Sequence, residues 1–215
     1  LGAGSDWSGF LQFLGISSMN LGFGGEGQGG VYHSIYDSYD HFVRFTDPGF
    51  QYEVALAETA GRAMMRMANA DVLPFDVNCF YKTVDDYVTE LKSSLDNMRM
   101  TTEQENIMIG DKLFDLAKDP AKKYQTPKMK DPVPYLDFSN LENAMAKLKH
   151  ASKEFQNHFS NAVGLPVDKQ NSLNEILYKL ERSLINENGL PKRPWDKHQI
   201  YEPGDYTGYD VKTLP

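Results

Sequence analysis

The feature that most constrains the fold is a recurrence of apolar side chains at helical spacing through the second half of the chain. Val77, Phe80, Val84, Val88, Leu91, Leu95 and Met98 fall three or four residues apart. Phe138, Leu141, Met145, Leu148, Phe155 and Phe159 repeat the pattern, with Ser152 in the gap, and Leu173, Ile176, Leu177, Leu180 and Leu184 make a third stripe. Each stripe is one face of an amphipathic helix and needs a partner to bury it. Three such faces predict a bundle of antiparallel helices. Ser139 with Glu142 forms a capping-box pattern at the start of the second stripe. Gly164 and Gly189, each followed by Leu-Pro, read as helix stops. The Lys- and Pro-rich stretch 118–134 reads as a connecting loop. No repeat of about 20–50 residues is evident, which argues against a solenoid.

The chain changes character near residue 72. Before it, glycine and aromatic residues dominate, and Gly22 to Gly30 reads Gly-Phe-Gly-Gly-Glu-Gly-Gln-Gly-Gly. Val72-Leu-Pro-Phe-Asp marks the joint, because proline ends the preceding element and aspartate caps the next helix. The first part predicts a short helix from Asp6 to Leu14, an apolar strand from Ser18 to Phe23, a glycine-rich loop, and a helix from about Phe50 to Asn69. That last helix carries Ala55, Ala57, Ala60, Gly61 and Ala63, small residues that let a neighbour approach. Strand, loop and helix in this order predict the edge of an α/β domain over residues 1–72, followed by an all-α helical domain over 73–215. From Pro191 onward helical period is lost, and Trp195, Tyr201, Tyr206 and Tyr209 predict an ordered loop that packs.

Charge narrows the partners. With 22 basic and 30 acidic residues the net charge is −8, which disfavours nucleic acid and anionic membrane surfaces. No apolar run reaches the ~18 residues that a membrane span needs. The opening Leu1-Gly-Ala-Gly-Ser-Asp has neither an initiator Met nor a signal-peptide pattern, so the natural N-terminus is expected upstream. One cysteine, Cys79, excludes an intrachain disulfide and a cysteine-cluster zinc site.

Chemistry is expected where the glycine run meets Val31-Tyr32-His33-Ser34. Glycines let a backbone approach a ligand, and an imidazole beside them is either a metal ligand or a hydrogen-bonded loop histidine. No HExxH pair is present, and His41, His150, His158 and His198 are not spaced with His33 to form a site. His150 and His158 read as solvated helix positions. The run lacks a GxxxxGK[ST] pattern and opens no helix, which disfavours phosphate binding. No Gly-x-Ser-x-Gly elbow supports a hydrolase triad.

Several ordered motifs carry a more specific message. Leu1-Gly-Ala-Gly-Ser-Asp-Trp, Phe13-Leu-Gly-Ile, Val31-Tyr-His-Ser-Ile-Tyr-Asp-Ser-Tyr, Asp47-Pro-Gly-Phe-Gln-Tyr, Val72-Leu-Pro-Phe-Asp, Gly189-Leu-Pro-Lys-Arg-Pro-Trp and His198-Gln-Ile-Tyr-Glu-Pro resemble, in order and spacing, the C-terminal part of the glutamate carboxypeptidase II and transferrin receptor family. The resemblance implies the end of a zinc-peptidase domain over 1–72 and a helical dimerisation domain over 73–215 that lacks its last helix. It implies a dinuclear zinc exopeptidase, of carboxypeptidase or aminopeptidase type, that acts on short peptides and forms a homodimer through the helical domain. Two zinc ions per full-length protomer are implied, with His33 as one ligand and the others upstream. Tyr32 matches the tyrosine that hydrogen-bonds the tetrahedral intermediate. Gly4 and Ser5 match positions lining the substrate cleft, and Tyr206 and Gly208 match a tail loop that helps close the pocket. An extracellular, periplasmic or membrane-anchored setting is implied as well.

The departures bear on specificity. Glutamate carboxypeptidase II carries a pair of arginines before the Tyr-His motif, whereas Ser17 to Gly30 here has no Arg or Lys. Asp205 stands where that enzyme has a lysine. A carboxylate needs a cation to grip it, so a broader or apolar preference is expected in place of C-terminal glutamate. The chain by itself is expected to be inactive. Two rival readings are a non-catalytic, receptor-like dimer scaffold of the same fold and a free-standing helical interaction module; retention of the Tyr-His pair favours the enzyme.

Overall fold

The computed structural model describes residues 5–25, 30–159, 164–204 and 211–215. In chain order its helices are α1 (Tyr39–His41), α2 (Gln51–Ala68), α3 (Val77–Gly110), α4 (Leu113–Ala117), α5 (Ser139–Phe159) and α6 (Val167–Leu177). Strands β1 (Tyr201–Pro203) and β2 (Val211–Thr213) pair antiparallel near the end. Tight or widened turns of helix fill in at Gly9–Phe13 and Phe42–Thr46 (both π) and at Leu180–Leu184 (3-10). The protein is thus mostly helical with one small sheet among the described residues. It divides into two compact units, one of Asp76–Phe159 with Leu214, the other of Leu1–Phe75 with Ser160–Thr213 and Pro215.

The first and second apolar stripes meet in the Asp76–Phe159 unit. α3 starts where Asp76 accepts the Cys79 amide at 2.9 Å, a side-chain cap on an otherwise unpaired N–H. It runs 34 residues, well past the Met98 end of its stripe. α3 packs on α5, burying Tyr81, Val84, Val88 and Met145. Burial of each such side chain contributes about 1.5–3 kcal/mol. Ser152 is fully buried at its gap in the stripe and returns its hydroxyl to the Lys149 carbonyl at 3.0 Å. The capping box does not form. Asp137 Oδ1 takes both the hydroxyl and the amide of Ser139, which holds the Asp137 carboxyl below its usual range, and Glu142 instead pairs with Lys92 on α3. An ion pair across helices wins over a local cap because Glu142 faces α3.

The other unit joins the opening of the chain to its tail. Three expectations change there. Residues 15–25 form no strand, since no described segment offers them a hydrogen-bonding ladder, and a strand without one leaves its backbone unpaired. The short helix expected from Asp6 to Leu14 is present, but most of it, Gly9–Phe13, is wound as π-helix. The third stripe is not one helix: α6 stops at Leu177, and after Tyr178 and Lys179 the chain tightens into the Leu180–Leu184 turn. Leu177 on α6 is only 1% exposed, and Asn174 of the same helix accepts the Leu73 amide at 2.8 Å and donates to the Asp71 carbonyl at 2.9 Å. The Val72-Leu-Pro-Phe joint is therefore clamped by α6. At the front of α2, buried Asp47 accepts the amides of Gln51, Tyr52 and Glu53 at 3.0, 2.8 and 3.3 Å, which explains the Asp-Pro-Gly-Phe-Gln-Tyr motif as a helix start.

Two glycines mark where backbones touch. Gly15 adopts φ +60°, and a Cβ there would lie 2.8 Å from the Arg182 Cα and from Ile185 Cγ1. Gly189 adopts φ +72°, and a Cβ there would lie 2.3 Å from the Pro194 carbonyl oxygen. Both positions need glycine on two counts, backbone handedness and space.

Candidate functional site

Tyr32 and His33 sit in a turn that the sequence builds from short-range hydrogen bonds. The Ser34 amide and hydroxyl both donate to the Val31 carbonyl, at 2.9 and 2.7 Å. Ser34 Oγ accepts the Tyr36 amide at 3.1 Å, and Asp37 Oδ2 accepts the His33 amide at 3.1 Å. The turn runs straight into α1, where the Ser38 side chain caps the His41 amide. Within it His33 has φ +60°, a conformation that non-glycine residues rarely adopt and that costs of order 1–3 kcal/mol. Asp37 holds it there by anchoring the His33 N–H.

The two rings stack, with centroids 3.9 Å apart and planes 23° from parallel. Tyr32 is 70% exposed, and His33 is exposed as well. Among the described residues neither the Tyr32 hydroxyl nor a ring nitrogen of His33 has a hydrogen-bond partner, so both present their polar atoms to whatever approaches. Ser5 is exposed and its carbonyl accepts the Ser8 amide at 3.0 Å. No hydrogen bond among the described residues links it to the Tyr32–His33 pair. Gly4, Tyr206 and Gly208, together with Asp205, lie outside the described residues.

As a donor set for zinc, His33 offers one imidazole nitrogen. Among the described residues no three His, Cys, Asp or Glu side chains converge into a site. A catalytic zinc takes about three protein ligands, so His33 fits as one member of a set whose others are not among these residues. His150 and His158 lie exposed or nearly so on α5, engaged with the Glu154 carboxylate and carbonyl respectively. The concave surfaces near α3 and α5 are lined by residues such as Lys92, Arg99 and Glu142, or Asn106, Ile107 and Met129, and none includes Ser5, Tyr32 or His33.

His198 is the residue whose role no spacing revealed. It is completely buried, with Nε2 2.9 Å from Glu181 Oε1 and Nδ1 accepting the amides of Ile200 and Tyr201 at 3.1 Å each. A signal for it did exist, since His198 opens the His-Gln-Ile-Tyr-Glu-Pro motif, but Glu181 is 17 residues away in the chain.

Residues 136–215 match the family described as the transferrin receptor-like dimerisation domain. The whole chain aligns with a probable glutamate carboxypeptidase, LAMP1, of Arabidopsis thaliana, 30% identical over 214 residues and covering 26% of that protein. It is 29% identical over 220 residues to a probable glutamate carboxypeptidase of Arthroderma benhamiae, of which it covers 26%. It is 26% identical over 223 residues to aminopeptidase NAALADL1 of Rattus norvegicus, of which it covers 25%. The chain spans about a quarter of the length of the curated relatives it matches.

Proposed function

We infer that this relative of glutamate carboxypeptidase-like and NAALADL1-like peptidases, whose residues 136–215 are a transferrin receptor-like dimerisation domain, supplies one wall of the catalytic site of a dinuclear zinc exopeptidase. The observation that carries the reading is the Tyr32–His33 turn: two stacked rings, polar atoms outward, with His33 held at positive φ. Backbone strain at an exposed imidazole is worth its cost where the side chain has a task. His33 is the zinc ligand of this segment. Zinc, when bound, supplies Lewis-acid polarisation of the scissile carbonyl and a nucleophilic water near neutral pH. The Tyr32 hydroxyl donates a hydrogen bond to the oxyanion that develops at that carbonyl. Ser5 with Gly4, and Tyr206 with Gly208 from the tail, line the cleft for a short peptide. Two zinc ions per protomer and a homodimer through the helical domain complete the proposal; the match over 136–215 supports the dimer.

One imidazole does not hold a catalytic zinc, so the chain by itself is inactive. The test is made in the whole protein. His33→Ala is expected to cost at least ~100-fold in turnover together with bound zinc, since even indirect metal partners are worth about 10–100-fold. Tyr32→Phe is expected to keep its zinc and lose about 10²–10³ in kcat. His158→Ala should behave as wild type. A His33→Ala protein that keeps both metals and normal turnover refutes the assignment.

A further inference from the structure

The lysine- and proline-rich segment after α4 is a fixed strap, although it forms neither helix nor strand. Asn106 on α3 grips it at Lys130: the side-chain oxygen accepts the Lys130 amide at 2.9 Å, and the side-chain nitrogen donates to the Lys130 carbonyl at 2.8 Å. Arg99 donates to the Pro134 carbonyl at 3.1 Å, Thr126 donates to the Asp115 carboxylate on α4 at 2.7 Å, and Lys130 pairs with Glu105. These ties hold the strap before anything binds, which spares a partner the entropy of ordering it. Three properties of the surface point to one kind of partner. The first is charge. Residues 118–130 hold five lysines and one aspartate within a chain of net charge −8. Lys118, Lys122 and Lys130 have carboxylate partners, whereas Lys123 and Lys128 are exposed and have none among the described residues. The second is a largely apolar hollow of about 620 Å³ between the strap and α3, lined in part by Thr102, Ile107, Gly110, Met129, Pro132 and Val133. Ile107 and Met129 are 56% and 61% exposed. The third is unused backbone. From 123 to 137 no backbone group bonds to another among the described residues, and there the amides of Met129, Asp131 and Val133 have no side-chain acceptor either.

We propose that the strap and the adjoining face of α3 bind an acidic, extended peptide of a partner protein. Its carboxylates meet Lys123 and Lys128, and one apolar side chain enters the hollow. Its main chain pairs with the free amides, as an extended peptide does along an unpaired backbone edge. Glu103 and Asp111 stand exposed on the α3 wall of the hollow, with no cation paired to them among the described residues. They repel a uniform polyanion, such as a sulfated polysaccharide or an anionic bilayer, and admit a peptide whose acidic residues stay on the strap side. The surface lies wholly within the Asp76–Phe159 unit, and the proposal does not rest on the peptidase reading.

The experiment reads fluorescence anisotropy of a labelled synthetic peptide of alternating Glu and Leu mixed with the whole protein, and of the same peptide carrying Lys for Glu. The acidic peptide is expected to bind in the micromolar range and to weaken with added salt, and the basic one to bind about tenfold less well or worse. Lys123→Glu together with Lys128→Glu turns two attractive pairs into repulsive ones and should cost about tenfold in affinity. Met129→Ser removes apolar wall and no charge, and should cost about fivefold at low and high salt alike. Both variants replace exposed side chains, and hydrogen-exchange protection of the Lys130 amide, bonded to Asn106, checks that the strap is still held. Equal binding of the two peptides, unchanged binding in either variant, or no binding below about 1 mM overturns the proposal. A heparin fragment or phosphatidylserine vesicles that displace the labelled peptide at lower concentration than unlabelled peptide overturn it in favour of a polyanion or a membrane. A change of oligomeric state in the lysine variant overturns it in favour of a second copy of the chain.

Discussion

Replacing Gly15 with alanine tests whether the opening of the chain and its tail are one packed body. Gly15 has φ +60°, and the added Cβ meets the Arg182 Cα and Ile185 Cγ1 at 2.8 Å and the Arg182 nitrogen at 3.1 Å. Two of those atoms are backbone, so relief requires the Leu180–Leu184 turn to move. The left-handed conformation costs alanine about 1–2 kcal/mol. Overpacking costs about 1–3 kcal/mol more. Alanine recovers about 0.4–1 kcal/mol by stiffening the unfolded chain. The middle of these ranges gives a net loss of about 3 kcal/mol, local to this contact. Global unfolding of a multi-domain protein is not two-state, so the appropriate assay is native-state hydrogen exchange in the whole protein. The Ile16 amide, bonded to the Phe10 carbonyl, and the Gln199 amide, bonded to the Leu184 carbonyl, report on the two sides of the contact. Both should lose protection by more than about tenfold. Gly61→Ala is the control: it lies inside α2 with nothing within 4 Å of the new Cβ, and should stabilise that helix by about 0.5–1 kcal/mol. Exchange at Ile16 and Gln199 within about twofold of wild type in Gly15→Ala would refute the claimed packing.

Three further outcomes concern other parts of the molecule. At the start of α2, burial raises the Asp47 carboxyl, but hydrogen bonds from Glu53 and from the amides of Gln51 and Tyr52 outweigh it and set the group below its usual range. Its contribution is whole above the ordinary carboxylate range near pH ~4 and is lost as pH falls through the lower folded value. Glu53, raised first by its hydrogen bond to Asp47 and then by burial, has the opposite sign, because the folded state takes up its proton first. Asp47→Ala should therefore expose the 51–53 amides to exchange at neutral pH and flatten their acid dependence; unchanged profiles would contradict this cap. On the proposed function, hydrolysis of peptides ending in Glu, Leu and Lys by the whole protein should show no preference for Glu, since Ser17 to Gly30 lacks a cation and position 205 carries Asp rather than a basic residue, and a strong Glu preference would refute it. The whole protein should run as a dimer in light scattering and the isolated chain as larger aggregates, because Phe10, Phe13, Met19, Leu21 and Phe23 are all exposed here; a monodisperse, monomeric chain would count against it.

The sequence announced the parts of the fold that local pattern controls. Helices α3 and α5 stand where apolar spacing put them, and α2 begins within a residue of its expected start. Distant partners decided the rest. Leu180 and Leu184 continue the period of α6, yet the backbone tightens after Leu177, and Glu181 on that turn reaches His198. Ser139 and Glu142 have the spacing of a capping box, but Lys92 on another helix takes the glutamate. Residues 18–23 have strand composition and no ladder to join. In the candidate site, Tyr32 and His33 are legible only through a family motif; the positive φ of His33 depends on the bonds of Ser34 and Asp37, which by type are ordinary loop residues. His198 escapes any search for histidines spaced as ligands to one another, because its partners are a carboxylate and two backbone amides.

The contact between Ser17 and Glu181 spans 164 residues of chain. During synthesis that separation becomes a waiting time. At the ribosome's pace of about 5–20 residues per second, the opening segment emerges on the order of 10 s or more before the turn it packs against. The α3–α5 pair can fold in that interval, because the residues it buries lie within Asp76–Phe159. Phe10, Phe13 and Leu14 must meanwhile remain uncommitted. A nascent chain of this kind has reason to engage a holding chaperone around Phe10–Leu14 rather than along α3 and α5, and arrest between Phe159 and Glu181 would leave a folded α3–α5 pair on the same chain as an uncommitted, adhesive Phe10–Leu14 segment.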